Sequence, residues 1–282
     1  MKIQLLALLA SGLLQGTASP DRSITCNRID GVEQVLGTPG VFIGDMHGSA
    51  ESPAFLAALA CHAVKSGHTL VVAMEYDAKD QSLLDQFLLT ADETRAVEAL
   101  TATPHWTQNR DGRASAAMRD ALLEIRRLAR AGNAVKLVAY DLWGETSADR
   151  DKRSAELIRR IRGDKESAAY WIVFGGNVHA RKTKGLPFHN APSGSEDHEP
   201  LGYLIRDWGL IHLDAHYGGG AAWGCTGPSP DDCKAIDLGP RCTAECPAHP
   251  TIRLQSNNPA YDGVYDVGRL TVSGPFRRQG KN

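Results

Sequence analysis

The chain has 282 residues, 42% of them apolar, enough for one large α/β domain or two small ones. Its 31 Lys and Arg nearly cancel its 33 Asp and Glu, and there is no long basic run, so nothing supports a nucleic-acid partner. After the first leucine-rich segment no apolar run is long enough to span a bilayer, so the mature chain is expected to have no membrane span.

Met1-Lys2, the apolar stretch Leu5 to Leu14 and the small residues Gly16-Thr17-Ala18 read as a secretory signal peptide over 1–18. The protein is therefore expected to be exported, to the periplasm or outside the cell. All six cysteines follow that segment, and an even count in an exported chain points to disulfides. Four of them lie between 225 and 246 among Gly, Pro and Asp. A zinc site there is the alternative, disfavoured because the spacing lacks paired CxxC halves. Cys26 and Cys61 are the remaining pair, and spacing does not give the connectivity.

Residues 30–36 read as a lead-in and Thr38-Pro39-Gly40 as a turn, followed by an apolar strand, Val41 to Gly44. That strand empties into Asp45-Met46-His47-Gly48. A helix opens at Ser52-Pro53, presents Phe55, Leu56, Leu59 and Val64, and stops at Gly67. Leu70 to Met74 is an unbroken apolar strand ending in Glu75-Tyr76-Asp77. Residues 80–100 read as one helix. Thr103 to Arg113 reads as an irregular binding loop, with His105 and Arg113 as candidate substrate contacts. A helix is expected from about Ser115 to Ala131, then a strand, Val135 to Tyr140, ending in Asp141. The helix Ala148 to Ile161 has an Arg- and Lys-rich face that reads as solvated surface. The strand Tyr170 to Phe174 opens into Gly175-Gly176-Asn177-Val178-His179, and 181–200 reads as a loop. A short helix, Leu201 to Trp208, precedes the strand Leu210 to Leu213 and its tip Asp214-Ala215-His216. A Cys-rich insert (218–250), a last strand Val264 to Val272 and a disordered tail (274–282) complete the chain.

Strands alternating with helices predict an α/β fold: a mostly parallel central sheet with helices on both faces, in a single domain over 19–273. In such sheets the ligand lies beyond the carboxyl ends of the strands. Those ends carry Asp45 and His47, Glu75, Asp141, Asn177 and His179, and Asp214 and His216. No HExxH, GxSxG, GxxxxGK[ST] or GxGxxG motif is present. Two chemistries remain open. In one, His47 is a general base toward water, Glu75 orients or polarises it, and His179 protonates the leaving group or stabilises the oxyanion. Arg113 or Asn177 would contact the substrate. In the other, Asp45, His47, Glu75, Asp141 and His179 are the pool of ligands for a divalent metal, zinc or manganese, that acidifies water.

Gly44-Asp45-Met46-His47-Gly48 resembles the G-[ED]-x-H motif of a superfamily joining erythromycin esterases, ChaN-type haem-binding lipoproteins and TIKI-type metalloproteases. Met74-Glu75 is similar to its acidic second motif, and Gly176-Asn177-Val178-His179-Ala180 to its G-N-x-H-A motif. Tyr261 to Gly268 resembles the closing strand of the esterase-like members. The resemblance implies an α/β domain with its active site at His47, Glu75 and His179, and hydrolysis of an ester or amide bond in a small molecule or peptide. Metal use differs between its branches. Asp45 stands where Glu is common, and the Cys-rich insert departs from the pattern. The alternative is a ChaN-type haem or iron binder without catalysis, with Tyr76, Tyr140 and Tyr217 as oxygen donors near strand tips.

Overall fold

A computed structural model describes residues 24–108, 110–143, 147–163, 168–187, 194–227, 229–242, 246–255 and 257–276. The expected signal peptide and the end of the tail lie outside these residues.

Five apolar runs form the parallel strands β1 (Gly40–Asp45), β2 (Leu70–Asp77), β3 (Val135–Asp141), β4 (Tyr170–Gly176) and β5 (Ile211–His216). The hairpin β6 (Gly218–Cys225) and β7 (Cys233–Pro240) follows, then β8 (Thr251–Arg253) and β9 (Gly263–Asp266). The main sheet has the order β3-β2-β4-β1-β5-β9-β8, parallel except for the β8–β9 pair. The helices are α1 (Glu33–Leu36), α2 (Glu51–Lys65), α3 (Gln81–Leu89), α4 (Glu93–Thr101), α5 (Pro104–Gln108), α6 (Ala116–Arg130), α7 (Ser147–Arg162) and α8 (Leu201–Leu204).

Alternation along the strands builds two cores. Ile43, Val72, Met74 and Ile172 face α2 and α6, meeting Phe55, Leu59, Leu122 and Ile125. Phe42, Val71, Trp171 and Val173 face the other way, meeting Ile158 of α7 with Leu201 and Ile205. Burial on both faces is why these strands read as unbroken apolar runs.

Several expected boundaries change. The single helix over 80–100 is two, because Asp92 caps a new start and accepts the Arg95 N–H at 2.8 Å. The loop 103–113 contains α5. Residues 33–36 of the lead-in are helical. The last strand is only Gly263–Asp266, paired with the unanticipated β8. In the tail, Phe276 packs against the core beneath the Arg119 guanidinium.

The Cys-rich insert contains a regular antiparallel hairpin rather than loops alone. Disulfides join Cys26–Cys61, Cys225–Cys233 and Cys242–Cys246, so the insert has no thiolates for a zinc site. The first bridge ties the start of the described chain to α2, and the second closes the hairpin.

Candidate active site

Sheet register brings the functional groups level. Asp45 of β1 pairs with Gly176 of β4, while Met74 of β2 pairs with Phe174. Glu75 and Asp45 therefore flank the Gly175-Gly176 end of β4.

Glu75 is the centre of the cluster. Its Oε1 accepts from Arg113 Nη1 at 2.8 Å and Arg150 Nη2 at 2.6 Å, and its Oε2 accepts the Gly176 N–H at 2.7 Å. Burial opposes ionisation, but Arg113, the two imidazoles and Arg150 outweigh it and hold the carboxyl well below the usual range.

A histidine lies on each side. His47 Nε2 is 3.7 Å from Glu75 Oε2, and His179 Nε2 is 3.9 Å from Glu75 Oε1. Each imidazole has a buried aspartate behind it. His47 Nδ1 is 2.7 Å from Asp45 Oδ2, and His179 Nδ1 is 2.7 Å from Asp151 Oδ1. A carboxylate there places a proton on Nδ1 and leaves Nε2 toward Glu75. Burial lowers both imidazole pKa values, but carboxylates reverse it, mainly Asp45 for His47 and Glu75 with Asp151 for His179. Both end above the ordinary value.

The arginines are themselves anchored. Arg150 bonds both oxygens of Asp141, with Nη2 at 2.7 Å from Oδ2. Arg113 Nε and Nη2 hold Asp111 at 2.9 and 2.7 Å. Asp151 Oδ2 also lies 3.0 Å from His198 Nε2.

Of the residues singled out in the sequence, Asp45, His47, Glu75, Arg113, Asp141 and His179 come together. The fifth strand tip is engaged elsewhere, with Asp214 paired to Arg241 at 2.8 Å. Asn177 sits beside β1, its N–H donating to the Asp45 carbonyl at 3.2 Å and its carbonyl accepting from Tyr261. His105 is no surface contact. It is fully buried, its ring centroid 3.7 Å from that of Tyr76, and burial pushes its pKa down to about 3. Arg150, Asp151 and His198 were not anticipated. The first two lie on the charged helix α7, where a solvated face was expected.

The metal expectation does not fit these residues. Among the described residues no group of three or more His, Cys, Asp or Glu is arranged to hold an ion. Of the expected ligands, Asp45 is spent on His47, Asp141 on Arg150, and Glu75 on two guanidinium groups. Those two fixed cations at the central carboxylate oppose a zinc or manganese ion. The tyrosines expected as haem donors do not fit either. Tyr76, Tyr140 and Tyr217 are buried, and burial raises all three phenol pKa values, well above normal for the first two. Packed within the protein, none of the three rings lies on an open surface against which a haem could be laid.

No family model matches the chain, and no curated protein is significantly similar to it. Solved structures do match. A mutant of the erythromycin esterase EreC in its open conformation superposes with TM-score 0.61 at 12% identity, over 86% of this chain and 93% of that one. A succinoglycan biosynthesis protein superposes at 0.54 with 9% identity, over 87% and 91%. A haem-bound ChaN of Campylobacter jejuni reaches only 0.39 at 12% identity, over 74% and 91%, too slight to carry an argument. The chain thus shares an α/β fold with the erythromycin esterase and the succinoglycan biosynthesis protein. At such identities the likeness concerns fold alone.

Proposed function

We propose that this chain is an exported hydrolase that cleaves an ester or amide bond by acid–base chemistry shared between His47 and His179. The observation that carries this reading is the pair of Asp–His couples facing one carboxylate, with Nε2–Oε separations of 3.7 and 3.9 Å.

Glu75 has both oxygens occupied by fixed donors, so it serves as a permanent anion and not as the base. An anion between two imidazoles favours one proton shared between them, leaving one ring neutral and the other cationic. The neutral ring is the base that takes a proton from water. The cationic ring is the acid that protonates the departing oxygen or nitrogen. We assign the base to His47, with Asp45 holding its Nδ1–H, and the acid to His179, supported by Asp151. Asp45 is thereby an orienting group. Arg113 and Arg150 keep Glu75 ionised and fixed, and no step passes through a metal. A small molecule or short peptide is the substrate class. Sharing a fold with an erythromycin esterase puts ester cleavage among the chemistries this scaffold carries. Three disulfides are compatible with export.

The test is hydrolysis of ester, lactone and peptide panels by wild type, His47→Ala and His179→Ala, with and without added divalent metal. Each variant is expected to lose about 10²–10⁴-fold in rate. An activity retained in full by both would remove the reading.

A further inference from the structure

The Cys-closed hairpin reaches the site through one residue. Trp223, on β6 two residues before Cys225, donates its backbone N–H to the Gly48 carbonyl at 3.0 Å. Its indole Nε1–H donates to the Arg110 carbonyl at 2.7 Å. Gly48 follows His47 in the chain, and Arg110 opens the turn that ends in Arg113. A single side chain and its own backbone therefore hold both loops that approach Glu75 from this side.

The contact is too close for side chains to intervene. Gly48 has φ +76°, and a Cβ there would lie 2.0 Å from the Trp223 carbonyl oxygen. Gly112 has φ +87°, and a Cβ there would lie 2.5 Å from Gly48 Cα. Both positions need glycine for conformation as well as space. Trp223, Gly48 and Gly112 thus stack backbone on backbone. The Ser273 N–H also donates to the Gly48 carbonyl, at 2.8 Å, and Gly274 lies against the indole ring. Within the Arg110 turn, the Arg113 backbone N–H and Nε both bond Asp111, so the turn moves with its arginine.

We propose that Trp223 is a positioning residue of the active site, setting the placement of Arg113 and His47 about Glu75 through the Arg110 and Gly48 carbonyls. Small displacements of a catalytic group cost large factors in rate, so a hydrogen bond to each supporting loop matters more than its own strength. The kinetic part of this inference rests on the hydrolase reading, whereas the structural part does not.

Trp223→Phe keeps a six-membered aromatic ring and the backbone N–H but removes the indole donor with its five-membered ring. The Arg113 Nε–H signal, assigned by its loss in Arg113→Lys, is followed by nitrogen-15 NMR. Its hydrogen exchange is expected to accelerate about tenfold in Trp223→Phe. With 4-nitrophenyl acetate as probe, kcat is expected to fall about tenfold with KM held within about twofold. In an Arg113→Lys background the same substitution is expected to add no further loss. Unchanged Arg113 exchange in a folded Trp223→Phe protein would overturn the proposal, as would an equal kcat loss in both backgrounds. Should wild type cleave no ester, that failure belongs to the hydrolase reading, and the exchange measurement still decides the role of Trp223. If Trp223→Phe does not fold, Gly274→Ala gives the same readouts. Its Cβ would lie 3.3 Å from the indole Cε3 and push the ring without removing it. Unchanged exchange there overturns the proposal equally.

Discussion

Glu75→Gln separates the charge of the central carboxylate from its shape. The glutamate oxygens meet donors only: Arg113 and Arg150 at Oε1, and the Gly176 N–H at Oε2. Glutamine must turn its NH₂ either toward two guanidinium groups or toward a backbone N–H. Either way a donor faces a donor in a buried site, and two guanidinium groups lose a counter-charge. Removing one partner of a buried ion pair costs about 3–5 kcal/mol. Arg113 keeps Asp111 and Arg150 keeps Asp141, so about 3 kcal/mol is expected. At about 2–4 °C per kcal/mol, the melting temperature at neutral pH should drop about 6–12 °C by scanning calorimetry. The pH dependence follows from the depressed Glu75 pKa. Its stabilisation is fully present above the unfolded value, 4.5, and is lost as pH falls below it toward the folded value. The gap between wild type and Glu75→Gln should therefore narrow as the buffer is taken below pH 4.5. A melting temperature within ~2 °C of wild type, or a gap that stays constant into acid, would refute this account of the cluster.

Asp45→Asn removes the anion that raises the His47 pKa, so that pKa falls. A base must be deprotonated to act, so the acid limb of the pH–rate profile should move to lower pH. The rate plateau should also drop by about 10²-fold or more, because the ring is no longer held in one tautomer. A shift of that limb to higher pH would contradict it. His105→Phe, at a buried ring already neutral near pH 7, should leave KM within about twofold of wild type on any substrate found; a large rise in KM would restore His105 as a substrate contact. The Cys26–Cys61 bridge closes a loop of 35 residues, so the double Cys26→Ala/Cys61→Ala variant should lose about 3–4 kcal/mol in chemical denaturation, and a loss below ~1 kcal/mol would mean the N-terminal segment is held by packing alone.

The parallel sheet could be read from sequence because its strands are covered on both faces and so are continuous apolar runs. The strand tips could be read because polar residues follow those runs at once. What escaped reading came from helices and loops that reach the tips from elsewhere. Arg150 and Asp151 sit in the Asp149-Arg150-Asp151-Lys152-Arg153 run, where charge alone does not tell an inward residue from a solvated one. A signal did exist. The first turn of a helix that follows a strand tip must begin above the sheet's carboxyl edge, so charged residues there are better placed for the site than those further along. His198 carries no local pattern, and its approach to Asp151 depends on how a long loop returns. The hairpin was missed because Gly218 to Gly220 and the surrounding Pro and Cys mask the alternation of a strand. The break at Asp92 is hidden because apolar residues at helical spacing lie on both sides of it.

The arrangement follows from strand order more than from any single motif. β4 lies between β1 and β2, so the loop after β4 delivers His179 to one side of Glu75 while the loop after β1 delivers His47 to the other. Each imidazole has its own buried carboxylate, which offsets the burial that would otherwise lower its pKa. The sequence supplies Asp45 from the end of β1, two residues before His47, but Asp151 from a separate element, α7. The two couples are therefore alike in geometry and unlike in support. The Asp45–His47 couple is local and rides on β1. The Asp151–His179 couple depends on how α7 packs and on the shared approach of His198. A perturbation of α7 should consequently weaken the His179 couple, the proposed acid, while leaving the His47 couple in place, an asymmetry invisible in two motifs that look equivalent in sequence.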